Sequence, residues 1–268
     1  MGDKKVAVIV PFYTSDISEY EHIALAQCEK ILSSYPIIAV KPQSLDLSSI
    51  ASKYNFTGTI SFDDSYFASV QGYNKLMLAE EFYAAFTAYE YILIHQLDAF
   101  VFNDELLNWC NRDIDYIGAP WLRINGYTDL FKAVKSRIQR LYHARFNVYV
   151  KGMPSDMQFI NKVGNGGFSL RRVNKFKNLC VTHKPKIEEY LAEGWHYFNE
   201  DSFWSIEVNR KRKILNIPGF KTGLKFAFEH APHKALKLNN NRLPFGCHAW
   251  NRNVEFWRTI FARYGYTI

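Results

Sequence analysis

Apolar runs and amphipathic stretches alternate along the first hundred residues. "KVAVIVPF" (5–12) is a continuous apolar run stopped by Pro11, the pattern of a strand buried on both faces. "SEYEHIALAQCEKILSSY" (18–35) switches to helical spacing, with Ser18 placed to cap it. The same two patterns recur as a strand at 36–42, a short helix at 44–54, a strand at 58–64, a strong helix at 72–89 and a fourth strand from 89 to 102. Strands alternating with helices predict an α/β fold with a mostly parallel sheet and right-handed crossovers. In such sheets ligands bind outside the carboxyl ends of the strands.

The fourth strand changes character halfway. In "YILIHQLDAF" (91–100) four apolar residues are followed by His95, Gln96 and Asp98 before the apolar pattern resumes. An unpaired carboxylate inside an apolar run is costly. Asp98 is therefore either paired internally or set at the strand end, where it meets a cation or a ligand. No GxGxxG follows the first strand and no GxxxxGK[ST] occurs, which disfavours a dinucleotide-binding Rossmann domain and a P-loop.

The pattern shifts after "DYIGAPWL" (115–122), and a helical insertion is expected over about 125–160. Residues 128–146 read as an amphipathic helix: Leu130, Phe131, Val134, Ile138 and Leu141 share one face, while Lys132, Lys135, Arg137 and Arg140 carry charge elsewhere. Two readings stand. The helix packs on the domain with a solvated basic side, or it is a membrane-surface or acceptor-covering element. A glycine loop leads into a strand at 163–173, and helices are expected at 186–195 and, opening on acids, at 199–211.

Composition changes the picture little. The 268 residues are 48% hydrophobic and carry a net charge of +7, enough for a large core and favourable to acidic partners. No familiar nucleic-acid-binding motif is present, and nucleic acid is not expected as a partner. Cys28, Cys110, Cys180 and Cys247 are far apart with no CxxC pair, which indicates neither a zinc site nor a disulfide framework. The N-terminal apolar run is too short for a signal peptide, and no stretch is long enough to span a bilayer. A reduced, cytoplasmic protein is expected, able to sit peripherally at the inner face of the cytoplasmic membrane if the basic helix meets lipid.

Polar islands punctuate the apolar pattern at "PFYT" (11–14), "YNK" (73–75), "QLD" (96–98), "NGG" (165–167), "NED" (199–201) and "GCHAW" (246–250). In this order they resemble glycosyltransferases of the GT-A fold, and most closely the inverting β-1,4-galactosyltransferase type. In that family a strand ends in Pro-Phe, a helix opens with Phe-Asn-Arg and a strand ends in Asp-x-Asp. A Gly-Gly loop, a Glu-Asp pair and a late His follow. The wording "HQLDAFVF", "GNGGFSLR", "NEDSFW" and "PFGCHAW" is also similar to a bacterial family of uncharacterised proteins encoded among surface-polysaccharide genes. The resemblance spans about residues 6–257. It implies a single GT-A-like domain, a Rossmann-type mixed sheet flanked by helices. A nucleotide-binding half (1–102) would precede an acceptor-binding and catalytic half (103–268).

The resemblance also implies an activity: transfer of a sugar from a UDP-sugar to a glycan or lipid-linked glycan, with inversion and a divalent cation, Mn²⁺ or Mg²⁺. Asp98 and His248 match metal ligands, which suits a carboxylate–imidazole set completed by diphosphate and water. Gln96 stands where the family has its first Asp, which removes a charge and puts metal dependence in question. Pro11, Phe12, Tyr13 and Thr14 would edge the base pocket, and Asp63 at the end of the third strand would contact base or ribose. Asn74 would meet the nucleoside and Lys75 the diphosphate. Asn165, Gly166 and Gly167 would border the donor sugar. Asp201 matches the general base, Glu200 its neighbouring acid, and Trp121 and Trp195 are acceptor platforms. Capping, core packing or internal pairing remain open for several of these residues. Three alternatives stand beside this: a non-catalytic nucleotide- or carbohydrate-binding protein of the same fold, a sugar-phosphate nucleotidyltransferase, whose basic glycine-rich loop after the first strand is lacking in "VPFYTSDIS", and a basic nucleic-acid-binding protein, which the charge alone permits.

Overall fold

The computed structural model describes residues 4–123, 130–193 and 196–268. A six-stranded sheet runs through it in the order Gly58–Phe62, Ile37–Pro42, Lys4–Pro11, Tyr89–His95, Phe168–Arg172, Tyr116–Ile117. The first four strands are parallel, and Phe168–Arg172 is antiparallel to both of its neighbours. The sheet is buried on both sides, which explains the unbroken apolar runs. Val6, Val8 and Val10 pack with Leu25 and Leu32 in one layer, while Ala7 and Ile9 pack with Phe82, Phe86 and Ile94 in the other.

The first helix, Glu19–Leu32, starts where its sequence says it should. The Ser18 hydroxyl accepts from the Glu21 backbone N–H, and the Glu21 carboxylate accepts from the Ser18 N–H at 2.7 Å. Such caps are worth about 1 kcal/mol. The stretch 72–89 is not one helix. Val70–Met77 ends, Ala79 is extended, and Glu80–Ala84 begins a second helix. The carbonyl of Met77, freed by the break, accepts from the Tyr83 hydroxyl at 2.8 Å and from the Trp204 indole at 3.3 Å. The stretch 199–211 is likewise not one α-helix: one turn, Glu200–Ser202, widens into a π-helical turn, Phe203–Glu207.

The insertion contains the helix Leu130–Phe146, a short hairpin pairing Tyr149–Val150 with Met153–Pro154, and a 3-10 turn at Asp156–Gln158. This helix reverses the expected packing. Ser136 and Ala144 are buried, Arg140 donates to the carbonyls of Ser136 and Ile160 at 3.3 Å each, and His143 Nδ1 lies 2.8 Å from the Ser155 hydroxyl. The side facing the domain is thus small and hydrogen-bonded, and the apolar stripe faces outward.

A second, three-stranded sheet pairs Gly246–Cys247 with Ala227–Phe228 on one side and Phe100–Val101 on the other. The four cysteines are free and buried. Among the described residues, no helix is long and apolar enough to cross a membrane.

Candidate active site

Two strand pairings assemble a cleft at the carboxyl edge of the parallel strands. Because Phe168–Arg172 runs antiparallel to Tyr89–His95, its first residue sits opposite His95. The glycine loop before it therefore meets the "QLD" turn, and the Gln96 N–H donates to the Gly167 carbonyl at 2.9 Å. In the small sheet, Asp98 lies two residues before Phe100, Glu229 directly after Phe228 and His248 directly after Cys247. The middle strand thus delivers His248 between two carboxylates.

His248 Nε2 lies 3.0 Å from Asp98 Oδ1 and 3.0 Å from Gln96 Oε1, while Nδ1 lies 3.3 Å from Glu229 Oε1. Burial alone would lower the His248 pKa. Hydrogen bonds and charge from Asp98 and Glu229 override it and carry the ring up to about 10, so the imidazole is a cation between two acids. Burial opposes ionisation of Asp98 and Glu229, yet His248 holds both carboxyls below their ordinary values. Oxygens from Asp98 and Gln96 converge on one imidazole nitrogen while Glu229 orients the other. That donor set suits a divalent cation with a carboxylate behind its histidine ligand. Among the described residues, no group of three or more His, Cys, Asp or Glu is arranged to hold a metal. An ion here would draw the rest of its shell from ligand oxygens and water.

The glycines are required by space. A Cβ on Gly166 would fall 1.9 Å from Glu200 Oε1, and one on Gly167 would fall 2.0 Å from His248 Nε2. Asn165 takes a left-handed φ of 60°, and its carbonyl accepts from the Tyr116 hydroxyl at 3.0 Å. Gly167→Ala is therefore expected to push the imidazole off Asp98. The His248 pKa, read by NMR titration, should fall while the far-UV circular dichroism stays native; an unchanged pKa would contradict the packing.

The "NED" turn is anchored from beneath. Arg171 is fully buried and donates to Glu200 Oε1 at 3.1 Å, to the Tyr83 hydroxyl at 2.9 Å and to the Ser169 hydroxyl at 3.1 Å. Glu200 is thus the partner of a buried guanidinium, and its other oxygen, Oε2, is buried without a partner. Burial raises the Glu200 pKa and Arg171 opposes that rise. Removing one member of a buried pair costs about 3–5 kcal/mol, because the other charge is stranded. Arg171→Met should lower the urea-unfolding free energy by about that much; a loss within error of zero would contradict the pairing.

Asp201 lies beside this pair. Burial first, then the charges of Glu200 and Glu229, push its carboxyl up to about 7. Its Oδ1 accepts from the Ser202 N–H at 2.7 Å. A carboxylate poised near neutrality is suited to taking a proton.

Of the residues singled out in the sequence, ten line one cleft of about 930 Å³: Tyr13, Asn74, Gln96, Trp121, Asn165, Gly166, Gly167, Glu200, Asp201 and His248. An adjoining cavity of about 380 Å³ shares Tyr13 and Gln96 and adds Pro11 and Asp98. Four others lie elsewhere. Phe12 is buried in the core, edge-on to Phe56 at 5.7 Å, because it continues the inward face of the first strand. Thr14 is exposed and accepts from the Asp16 N–H, and Asp63 caps the turn at Asp64–Tyr66. Lys75 is exposed and lies over the Tyr66 ring at 5.9 Å. Asn74 reaches the cleft, but its amide is spent internally: it donates to Asn199 Oδ1 at 2.9 Å and accepts from the Glu200 N–H at 3.2 Å. It clamps the acidic turn. Trp195 lies outside the described residues.

Sequence reasoning missed Glu229, Arg171 and Arg252, all of which touch or support the cleft. Glu229 carried a signal of the same kind as Asp98, an acid inside the apolar run "FAFEH".

A family model described as "Protein of unknown function (DUF5672)" matches residues 57–248, well over half of the chain. The chain belongs to this family. In the DUF5672 chain the matched span runs from the third strand to His248 and contains Asp98, Arg171, Asp201 and Glu229. No curated protein matches it in sequence. Among solved structures, it is similar to the galactosyltransferase LgtC in complex with donor and acceptor sugar analogs. The two share 14% identity at a TM-score of 0.53, over 90% of this chain and 86% of that one. At that identity the likeness establishes the fold: a mixed α/β domain of the GT-A-like glycosyltransferase type.

Proposed function

We propose that this DUF5672 chain is a glycosyltransferase that moves a sugar from a UDP-sugar to a glycan or lipid-linked glycan acceptor, with inversion at the anomeric carbon. The observation that carries the reading is one cleft lined by both Asp201, a carboxyl that burial pushes up, and His248, whose Nε2 lies 3.0 Å from Asp98 in the adjoining cavity. The glycosyltransferase-like fold supports it.

In this reading the nucleotide lies along the cavity bounded by Pro11, Tyr13 and Asp98, with Tyr13 as a stacking wall backed by Tyr73 at 5.7 Å. The diphosphate lies towards His248 and Arg252, and Arg252 supplies positive charge as the leaving group becomes negative. Asp98 and His248 would hold Mn²⁺ or Mg²⁺, which adds Lewis-acid stabilisation of the leaving diphosphate. The glycine loop admits the donor sugar against backbone. Asp201 takes the proton of the acceptor hydroxyl as its oxygen bonds to the anomeric carbon; the bond from that carbon to the diphosphate oxygen breaks with its electron pair. Asn74 and Arg171 position the turn that carries Asp201. Trp121, partly buried on the cleft wall beside Phe159, offers a face to the acceptor sugar.

Calorimetry with UDP, with and without Mn²⁺, tests the binding half of the reading. UDP binding strengthened by Mn²⁺ is expected. Absence of binding under both conditions would contradict it.

A further inference from the structure

The helix Leu130–Phe146 and the hairpin after it present an apolar surface to solvent. Phe131 is 80% exposed, Ile138 62% and Phe146 64%, and Val134, Leu141 and Tyr142 are also more than half exposed. At 100° per residue these side chains gather on the side opposite Ser136, Arg140 and Ala144, which face the domain. Tyr149 and Val150 at the hairpin are also about half exposed. The stripe is too continuous for scattered surface residues, and patches of this kind mark interaction sites.

Charge identifies the occupant. From 130 to 155 the sequence carries Lys132, Lys135, Arg137, Arg140, Arg145 and Lys151 and not one Asp or Glu. Behind the helix, a cavity of about 870 Å³ is lined by Arg137, Arg140, Arg145, Lys162 and Arg210. An apolar stripe on a helix that carries lysines and arginines and no acid between 130 and 146 is the pattern of a helix lying in a membrane interface. A second copy of the chain would set these cations against their own kind, and like charges facing each other are unfavourable.

We propose that this face seats on an anionic phospholipid bilayer. Phe131, Val134, Ile138 and Tyr142 enter the acyl boundary, and the exposed Lys132 and Lys135 beside them meet headgroup phosphates. The inference does not depend on the chemistry of the cleft, but it bears on it. The helix packs against the Asp156–Gln158 turn, and Asp156 with the following Phe159 forms part of the cleft wall.

The test is flotation of the full chain with vesicles of phosphatidylcholine alone and of phosphatidylcholine with phosphatidylglycerol. Binding to the anionic vesicles only, weakened by high salt, is expected. Each cation near an anionic surface is worth roughly fivefold in affinity, so Lys132→Glu with Lys135→Glu should weaken binding by about 25-fold or more. Ile138→Asp should weaken it by about tenfold or more through lost apolar burial. Both variants should keep native circular dichroism and wild-type UDP binding. Three results would overturn the proposal: no binding to either vesicle type, variants that bind like the wild type, or a dimer dissolved by Ile138→Asp in a chain that ignores lipid.

Discussion

Asp201→Asn is expected to lower the proposed sugar transfer by about 10²–10⁴-fold, the usual worth of general-base assistance, while nucleotide affinity stays nearly unchanged. The substitution keeps the shape of the side chain and its bond to the Ser202 N–H region but removes the proton acceptor. A pH profile carries the same information. With the carboxyl raised to about 7, wild-type kcat/KM should be flat above that pH and fall tenfold per unit below it, as the base becomes protonated. An ordinary aspartate would place that limb near 3.8.

Stability gives an independent sign. The folded pKa of Asp201 lies above its unfolded value, so ionising the group at high pH costs folding free energy. Asp201→Asn removes that cost. The variant should be more stable than the wild type above pH 7, and the gain should shrink to nothing as pH falls towards 3.8. Thermal unfolding across pH measures it. A gain independent of pH, or near-normal transfer, would remove Asp201 from the role. Product configuration, read by NMR, decides separately between inversion and retention.

Asp98→Ala is expected, under the proposed function, to remove the Mn²⁺-stimulated part of UDP binding. The substitution leaves His248 with Glu229, Gln96 and Asn165 and takes away the carboxylate that lies 3.0 Å from Nε2. Loss even of a residue behind a metal ligand costs about 10–100-fold in metal affinity, and loss of a direct ligand should cost no less. Because the ring carries a proton in its present pairing, a metal must displace that proton. Mn²⁺ stimulation in the wild type should therefore weaken as pH falls. Calorimetry of the variant with UDP and Mn²⁺ checks the assignment; stimulation equal to that of the wild type would contradict it. The core should survive, since Asp98 sits in a turn between strands and not within one.

Much of the framework was legible in the sequence because local chemistry and global fold agree there. The apolar runs of the buried strands and the Ser18–Glu21 cap are signals of that kind. Asp98 announced itself by interrupting a strand. Pairing across the chain was not legible. Arg171 and Arg172 stand side by side in "FSLRR", yet only Arg171 points into the buried layer. Both faces of that strand are covered, so alternation could not say which. Glu229 becomes meaningful only once the small sheet sets it beside His248. The break at Leu78–Ala79 has no proline or glycine to mark it; it is stabilised by Tyr83 and Trp204, the latter from 127 residues away. The basic helix had the expected periodicity, but periodicity does not say which face is turned inward. There the arginine and histidine hydrogen bonds to Ile160 and Ser155 decide.

The central claim is that the cleft activates a nucleotide-sugar, and a donor screen addresses it most directly. The full chain would be incubated with a panel of nucleotide-sugars and Mn²⁺, and release of nucleoside diphosphate measured by chromatography. The account predicts release from a UDP-sugar by the wild type, with Asp201→Asn reducing it to near background. No nucleoside diphosphate released from any donor, or equal release by wild type and Asp201→Asn, would contradict it.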